Sequence, residues 1–350
     1  MTPLEQTLAN LVQIDSVTGS EGRIATSIAE RLLPIWGMAD VQRLGNSLVV
    51  GNRTGKPLIS LYGHIDTVPE QQGNRAVRIQ DGHMYGLGTS DMKAGLAVMI
   101  HLLEDDRIRN GPYDVVGVFY DKEEGPVDEN GLEEVMNRAD WLAESAFAVV
   151  MEPTDNAVEL GCNGVINAEV IFRGKSAHSA RPWLGENAVT KAGAWLAELH
   201  EMEPEPVDIG GLVFHEVFSV TKAHGGIATN ILPSEFVINL NYRFPPIYSL
   251  EQAEARLRIV ASEADDIVFK DMAPAGAVPE DNPHVARLNN AVPGPPAAKQ
   301  GWTDVARFGT RGVLGVNFGP GETSQAHQAD ESLRISDLDD TYRALYRLLS

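Results

Sequence analysis

The apolar run at 115–119 leads into the stretch YDKEEG at 120–125, which holds two adjacent carboxylates, Glu123 and Glu124. A run of this length predicts a strand that is buried on both faces, as in a parallel sheet. Two carboxylates at the end of such a strand must find partners or share a proton. One of them can bind a metal ion while the other moves protons. We hypothesise that Glu123 and Glu124 divide these two tasks between them.

Strands alternate with helices in the first half of the chain. A helix is predicted from Met92 to about Asp105, directly before the strand that ends at Tyr120. The predicted strands of this part lie at 48–50, 58–62, 113–120 and 146–151. This alternation predicts an α/β fold with a mixed, largely parallel sheet and helices on both faces.

After Gly164 the pattern changes to strand, helix, strand, strand, helix, strand. These segments lie at 166–172, 184–200, 213–221, 235–244, 250–263 and 267–270. Their order is that of a ferredoxin-like α+β unit. A segment rich in Pro, Ala and Gly, 271–283, is predicted as the linker back to the first domain. We therefore predict one domain of residues 1–164 and 273–350, with residues 165–272 inserted into it.

Composition restricts the partners and the compartment. The chain has 350 residues, with 28 basic and 49 acidic side chains and a net charge of -21, which argues against nucleic acid and anionic membranes as partners. The single cysteine, Cys162, excludes an intramolecular disulfide and suits a reducing compartment. With no signal-peptide pattern and no apolar stretch near the roughly 20 residues of a membrane helix, we predict a cytoplasmic protein.

Candidate metal ligands follow the predicted strands. They are His64, Asp66, Glu123, Glu124 and Glu152, with Asp91 before a helix and His327 in a later loop. The carboxyl ends of parallel strands converge at one edge of the sheet, so these side chains are expected to meet. Nitrogen and oxygen donors suit zinc or a similar divalent ion, and a bridging carboxylate would make a two-metal hydrolase site. Each residue has an ordinary alternative, such as helix capping for Asp91, and only their joint placement favours a metal site.

Four stretches resemble the two-zinc aminoacylase/carboxypeptidase family of metallohydrolases. They are GHIDTVP at 63–69, GTSDMKAG at 88–95, Glu123-Glu124 and Glu152-Pro153. The resemblance implies two divalent ions per subunit, zinc or alternatively cobalt, bridged by Asp91. It assigns His64 and Glu152 to one ion, and Glu124 and His327 to the other.

The same resemblance assigns further roles. Glu123 would be the general base that takes a proton from a metal-bound water, and Asp66 would orient His64. The peptide bond between Asp91 and Met92 would be cis. The inserted domain corresponds to the family's dimerisation lid, which implies a homodimer.

Three more stretches are similar to the succinyl-diaminopimelate desuccinylases of actinobacterial type within that family. They are AHSARPWLG at 177–185, GWTDVARF at 301–308 and NFGPG at 317–321. The similarity implies cleavage of N-succinyl-LL-2,6-diaminopimelate to succinate and LL-2,6-diaminopimelate, in lysine and cell-wall precursor synthesis. His178 would stabilise the oxyanion in the partner subunit's site, Asn230 and Arg243 would contact substrate carboxylates, and Thr303 would bind substrate backbone groups. Because the substrate carries three carboxylates and the protein is acidic, Arg181 is a second candidate cation.

One departure from this pattern keeps related activities open. Some desuccinylases carry a basic residue just before Gly164, where this chain has Cys162 and Asn163. An acetylornithine deacetylase, an aminoacylase or a dipeptidase would use the same metals with a different pocket. A catalytically inactive binding protein is a third hypothesis, against which the full ligand set argues. A serine hydrolase is disfavoured because no G-x-S-x-G motif is present.

Overall fold

Two compact units make up the protein in the computed structural model, which describes residues 1–71, 73–74, 76–279 and 282–350. The first unit consists of Met1–Gly161, Pro279–Ala297 and Arg307–Ser350, and the second of Cys162–Val278 and Ala298–Ala306. Residues 298–306, which include Thr303, thus group with the second unit rather than with the chain on either side. The catalytic and dimerisation roles assigned to the two predicted domains stay predictions.

The strands are numbered in chain order. They are β1 (Val41–Leu44), β2 (Ser47–Val50), β3 (Leu58–His64), β4 (Arg78–Gln80), β5 (His83–Tyr85), β6 (Asp114–Tyr120), β7 (Phe147–Val150), β8 (Glu159–Leu160), β9 (Gly164–Arg173), β10 (Glu205–Ile209), β11 (Leu212–Gly225), β12 (Glu235–Phe244), β13 (Asp266–Ala273), β14 (Ala297–Ala298), β15 (Gly315–Asn317) and β16 (Ser332–Arg334).

The α-helices are numbered in the same way. They are α1 (Pro3–Val12), α2 (Gly22–Trp36), α3 (Lys93–Glu104), α4 (Asp106–Arg109), α5 (Gly131–Arg138), α6 (Ala188–Lys191), α7 (Gly193–His200), α8 (Leu250–Val260), α9 (Pro283–Asn289), α10 (Val305–Gly309) and α11 (Ile335–Leu349). Short 3₁₀ turns lie at Val127–Glu129, Asp140–Glu144, Pro182–Leu184 and Thr323–Gln325. Within the described ranges, none of these helices has the length and apolar character that a membrane span requires.

The large sheet has the strand order β1-β2-β6-β3-β7-β15-β8-β14. Its centre is parallel, since β3 runs parallel to both β6 and β7, and β15 runs parallel to β7. Strand β2 pairs antiparallel with β6, and β8 pairs antiparallel with β15. Every residue of β3 and β6 is buried, which explains why both read as continuous apolar runs. The predicted α/β fold with a mixed, largely parallel sheet is confirmed.

The second unit contains a five-stranded antiparallel sheet in the order β10-β11-β12-β9-β13. Four of these strands, with their helices, follow the predicted ferredoxin-like order, and β10 adds an edge strand that the sequence pattern did not predict. Trp195 packs against Phe172 with ring centroids 5.4 Å apart, so the helical layer closes the core of this unit.

Several segments differ from their predicted bounds, and β11 extends four residues beyond the predicted 213–221, to Gly225. The helix predicted over 184–200 begins at Ala188, where the Asn187 side chain accepts hydrogen bonds from the Val189 and Thr190 N–H groups, and it is interrupted at Ala192. The first residues of the linker predicted over 271–283 belong to β13. Glu280 and Asp281, in the same segment, lie outside the described residues. The helix predicted over 250–263 ends at Val260.

A small sheet, β16-β5-β4, brings two loops of the first unit together. Strand β16 pairs antiparallel with β5, so the loop that ends at Glu331 lies beside the loop that starts at Gly86. The Gly86 N–H donates to the Glu331 carbonyl oxygen over 3.0 Å. The loops that carry His327 and Asp91 are thereby held next to each other.

Candidate active site

The carboxyl ends of the parallel strands supply most of the candidate site. Strand β3 ends at His64, directly opposite Tyr120 at the end of β6, and Glu152 follows β7 by two residues. Because β3, β6 and β7 are parallel neighbours, their ends lie on one edge of the sheet, as predicted. The sheet thus places histidine and carboxylate side chains on the same edge of the first unit.

His64 is oriented by contacts at both ring nitrogens. It is 1% exposed, and its Nδ1 lies 3.1 Å from the Asp66 carbonyl oxygen and 3.4 Å from Asp66 Oδ1. Its Nε2 lies 3.1 Å from Asp91 Oδ1 and 3.8 Å from Glu152 Oε1. An Nδ1 proton directed at Asp66 leaves the Nε2 lone pair facing two carboxylates, which is the tautomer a metal ligand needs. Burial opposes protonation, but the hydrogen bonds with Asp66 and Asp91 raise the pKa of His64 well above its usual value in the metal-free protein.

Asp66 also fixes the turn that carries the paired glutamates. Its carboxylate accepts hydrogen bonds from the Glu123 N–H over 3.0 Å, the Glu124 N–H over 3.1 Å and the Thr18 hydroxyl over 2.9 Å. Burial opposes ionisation, but the hydrogen bond and charge of His64 outweigh it and lower the pKa of Asp66. A buried, ionised Asp66 therefore links the end of β3 to the turn after β6.

Asp91 lies between the two candidate histidines. Its Oδ1 is 3.1 Å from His64 Nε2, and its Oδ2 is 3.6 Å from His327 Nε2. The N-cap residue of α3 is Met92, whose side chain makes no capping bond. Asp91 is therefore not the N-cap residue of this helix, as the alternative required. The Asp91–Met92 peptide is cis, as the resemblance implied. Two oxygens facing two separate histidines is the arrangement expected of a bridging carboxylate.

Glu124 and His327 form the other side of the cluster. His327 Nε2 lies 2.9 Å from Glu124 Oε2, and this hydrogen bond is the main reason why the pKa of His327 rises to about 9. One ligand atom from each of His64, Asp91 and Glu124 lies within 4.8 Å of the others, close enough to hold one ion. Imidazole nitrogens and carboxylate oxygens around one point are donors that zinc and cobalt accept. The residues present therefore fit a divalent metal site.

Glu123 is the remaining carboxylate of the turn. Its backbone N–H is bound by Asp66, its side chain is half-buried, and it lies close enough to His64 for its charge to raise the pKa of that ring. Its role as general base stays a prediction.

The predicted substrate residues of the second unit fall into two groups. At one end of β12, the His178 and Asn230 segments pair, since the Ser179 N–H donates to the Asn230 carbonyl over 2.9 Å, and the His178, Asn230 and Arg181 side chains are exposed. At the other end, Arg243 pairs in register with Val165 at the start of β9. From Glu235 to Arg243 the strand extends about 26 Å at ~3.3 Å per residue. The structure therefore does not bring the two groups together within one chain.

Thr303 belongs with the group around Arg243. Its carbonyl accepts from the Cys162 thiol over 3.6 Å, while its own hydroxyl oxygen is buried and has no hydrogen-bond partner among the described residues. The Asn163 Oδ1 atom is likewise buried and unpartnered within the described ranges. Burial raises the pKa of the Cys162 thiol, in keeping with a packed residue rather than a nucleophile.

Two residues of the site escaped sequence reasoning. Thr18 binds Asp66, and Glu331 accepts three backbone hydrogen bonds from the loop that ends in Asp91. Burial raises the pKa of Glu331 to about 7, against the effect of those N–H groups. Only the position of Glu331 four residues after His327 hints at a connection in the sequence.

Known proteins match this chain along nearly its whole length. It is 36% identical over 352 residues to "Putative succinyl-diaminopimelate desuccinylase DapE" of Mycobacterium tuberculosis strain H37Rv, with 99% of this chain and 98% of that protein covered. It is 35% identical to "Succinyl-diaminopimelate desuccinylase" of Corynebacterium glutamicum, with 97% and 94% covered. Among solved structures, aminopeptidase PepT from Bacillus cereus shares the fold, with a TM-score of 0.79, 20% identity, and 99% and 97% covered.

A family model confirms the predicted family. The model of peptidase family M20/M25/M40 matches residues 60–350, which include the His64, Asp91, Glu124 and His327 positions. With its sheet-edge cluster of histidines and carboxylates, the chain belongs to peptidase family M20/M25/M40.

Proposed function

We propose that this protein is a two-metal amide hydrolase that cleaves N-succinyl-LL-2,6-diaminopimelate to succinate and LL-2,6-diaminopimelate. The proposed reaction class rests mainly on the position of Asp91. Its two oxygens face His64 and His327 separately. The names of the relatives in Mycobacterium tuberculosis and Corynebacterium glutamicum support the substrate. The reaction serves lysine and cell-wall precursor synthesis, and we expect it to take place in the cytoplasm.

We assign two zinc ions per subunit, with cobalt as an alternative, to five side chains. Asp91 is the bridging ligand, His64 and Glu152 complete one site, and Glu124 and His327 complete the other. Bound divalent ions supply Lewis-acid polarisation of the scissile carbonyl and lower the pKa of water. The contacts of His64 with Glu152 and of His327 with Glu124 support this division.

Glu123 is assigned the proton transfers. It takes a proton from the attacking water and delivers it to the leaving amine, a contribution of roughly 10²–10⁴-fold. Asp66 supports this role because it holds the Glu123 backbone and the His64 ring at the same time. A small shift of that turn would move both the base and a ligand.

The substrate is assigned to side chains of two subunits. Arg243 and Thr303 lie at one end of β12, and His178, Asn230 and Arg181 lie at the other, farther apart than a substrate of this size extends. In a homodimer formed through the second unit, His178 and Asn230 of one protomer would serve the site of its partner. The unpartnered Thr303 hydroxyl supports a role in binding substrate.

The alternative function is hydrolysis of a related N-acyl amino acid, as by an acetylornithine deacetylase, an aminoacylase or a dipeptidase. Asn163 favours it, because this uncharged residue stands where some desuccinylases carry a cation for their anionic substrate. A non-catalytic binding protein would not need the complete ligand set.

The proposal is tested by adding zinc stepwise to metal-free protein and measuring hydrolysis at each step. We expect cleavage of N-succinyl-LL-2,6-diaminopimelate to appear with up to two equivalents of zinc per chain, and cleavage of N-acetylornithine to remain far slower. Preference for the acetylated substrate would reassign the protein to the alternative. Metal binding with no hydrolysis of any N-acyl amino acid would favour the non-catalytic hypothesis.

A further inference from the structure

Glu331 makes an unusual set of contacts for a carboxylate outside the predicted ligand set. It is 2% exposed, and its Oε2 accepts from the Gly88 N–H over 2.7 Å. Its Oε1 accepts from the Ser90 N–H over 2.8 Å and the Asp91 N–H over 3.0 Å. Its carbonyl oxygen accepts from the Gly86 N–H over 3.0 Å. One residue thus binds four backbone N–H groups of a six-residue loop.

That loop makes other hydrogen bonds as well, among them the Leu87 N–H to the Asn74 carbonyl over 2.8 Å and the Ser90 hydroxyl to the Glu322 carbonyl over 3.1 Å. It lies between β5 and α3 without regular structure, and its glycines adopt positive φ angles, 151° at Gly86 and 81° at Gly88. Buried N–H groups need acceptors, and a carboxylate makes stronger hydrogen bonds to them than a neutral group does. The Glu331 carboxylate therefore supplies the acceptors for three N–H groups of this loop, including that of Asp91 itself.

The geometry also argues against a simpler assignment as another metal ligand. Both Glu331 oxygens already lie within hydrogen-bond distance of N–H groups, and those N–H groups belong to the backbone that leads into Asp91. From this backbone position, Asp91 Oδ1 lies 3.1 Å from His64 Nε2 and Asp91 Oδ2 lies 3.6 Å from His327 Nε2. Sites of this kind tolerate displacements of only about 0.5 Å.

We propose that Glu331 is a positioning residue that holds Asp91 between His64 and His327 and links the His327 loop to the Asp91 loop. The inference rests on the proposed role of Asp91 as a metal ligand. It predicts that Glu331 controls metal affinity without touching the metal, as residues that orient ligands do.

The test compares Glu331→Gln with Asp330→Asn. Glutamine keeps the size of the side chain but turns an N–H₂ donor toward backbone N–H groups, whereas Asp330 is the exposed neighbour and undergoes the same change in charge. We expect zinc affinity of Glu331→Gln, measured by competition with a chelator, to fall by roughly 10–100-fold. In the metal-free protein, the Gly88, Ser90 and Asp91 amides should exchange hydrogen faster. Asp330→Asn should match the wild type in both measurements.

The outcomes separate positioning from general stability. A Glu331→Gln protein with a lower melting temperature but wild-type zinc affinity and wild-type exchange at 88–91 would overturn the inference. If this variant does not fold, Glu331→Asp, which keeps the charge but is one methylene shorter, should show a smaller loss of affinity. Wild-type affinity in that variant would overturn the inference as well.

Failure of the proposed function gives a different result. If the wild-type protein bound no zinc or cobalt, the metal assignment would fall, whereas exchange at Gly88, Ser90 and Asp91 in metal-free Glu331→Gln would still test the positioning. Unchanged exchange at these amides would overturn it. Zinc binding in the wild type without hydrolysis of the succinylated substrate would leave both readouts intact.

Discussion

At the scale of single residues, Asp66 holds two parts of the candidate site in place. These are the His64 ring and the turn that carries Glu123 and Glu124. The carbonyl and carboxylate oxygens of Asp66 face His64 Nδ1, and the same carboxylate accepts the N–H groups of Glu123 and Glu124. His64, the proposed ligand, and the turn with the proposed base are therefore both held by one buried residue. This explains how adjacent glutamates can take separate roles, since the turn fixes their backbones in one orientation.

Replacing Glu123 separates metal binding from catalysis. We expect Glu123→Ala to keep both metal ions and to lose roughly 10²–10⁴-fold in kcat, because no other group would accept the proton of the attacking water. Metal content by elemental analysis and kcat on the succinylated substrate measure the two effects. Glu134→Ala, which removes an exposed glutamate paired with Arg138 on α5, serves as the matched control. Activity retained in Glu123→Ala would contradict its role as the base.

The residues that could be predicted are those that carry a signal in their own type and position. His64, Glu124 and Glu152 follow apolar runs, and the large sheet converts that pattern into proximity. Glu331 carries no such signal, because its partners are backbone N–H groups about 240 positions earlier in the chain. Backbone N–H groups do not depend on the side chain of their residue. The sequence therefore does not indicate which distant side chain binds them.

At the scale of elements, the fully buried strand β6 was predicted and the exposed edge strand β10 was not. Strand β6 is buried throughout and appears in the sequence as an apolar run. Strand β10 lies at the edge of its sheet beside β11, its residues are largely exposed, and it begins with Glu205 and Pro206. Proline is confined to the edges of sheets because it donates no ladder hydrogen bond. An edge strand that contains proline, such as β10, therefore has the composition of a loop.

Asp114, the first residue of β6, stabilises the loop before β3. It is 5% exposed, and its carboxylate accepts from the Thr54 N–H and hydroxyl over 2.6 Å each, the Gly55 N–H over 3.1 Å and the Lys56 N–H over 3.2 Å. Burial opposes ionisation, but these hydrogen bonds prevail and lower the pKa of Asp114. The ionised form thus adds stability above the unfolded-state pKa, about 3.9.

Asp114→Asn should therefore reduce the free energy of unfolding at pH 7 by about 1–3 kcal/mol. The stabilisation that the wild type gains from the ionised carboxylate is lost as the pH falls through its lowered folded-state pKa, so the two proteins should converge there. Urea unfolding from pH 7 down to pH 3 measures both effects. Asp340→Asn, which removes an exposed aspartate lying 3.7 Å from Arg343, should change little. A constant difference at all pH values would contradict the assignment to Asp114 ionisation.

At the scale of the whole molecule, the positions of the predicted substrate residues are compatible with the proposed homodimer. The register of β12 with β9 places Arg243 beside Val165 at one end, and the pairing of the His178 and Asn230 segments lies beyond the other end. A net charge of -21 makes cations scarce, so an anionic substrate depends on a few local side chains. These two groups can serve one substrate if each protomer contributes one of them.

Mixing two inactive variants tests this arrangement. His178→Ala and Glu123→Ala should each be nearly inactive as homodimers, while a heterodimer has one site with Glu123 from one protomer and His178 from the other. Random exchange of protomers gives half heterodimers with one intact site in two, so activity should recover to about a quarter of the wild-type value. Recovery should track the fraction of heterodimer, measured by native mass spectrometry of protomers with different tags. Verified heterodimers without recovery would place His178 and Glu123 of the same chain in one site, or remove His178 from the chemistry altogether.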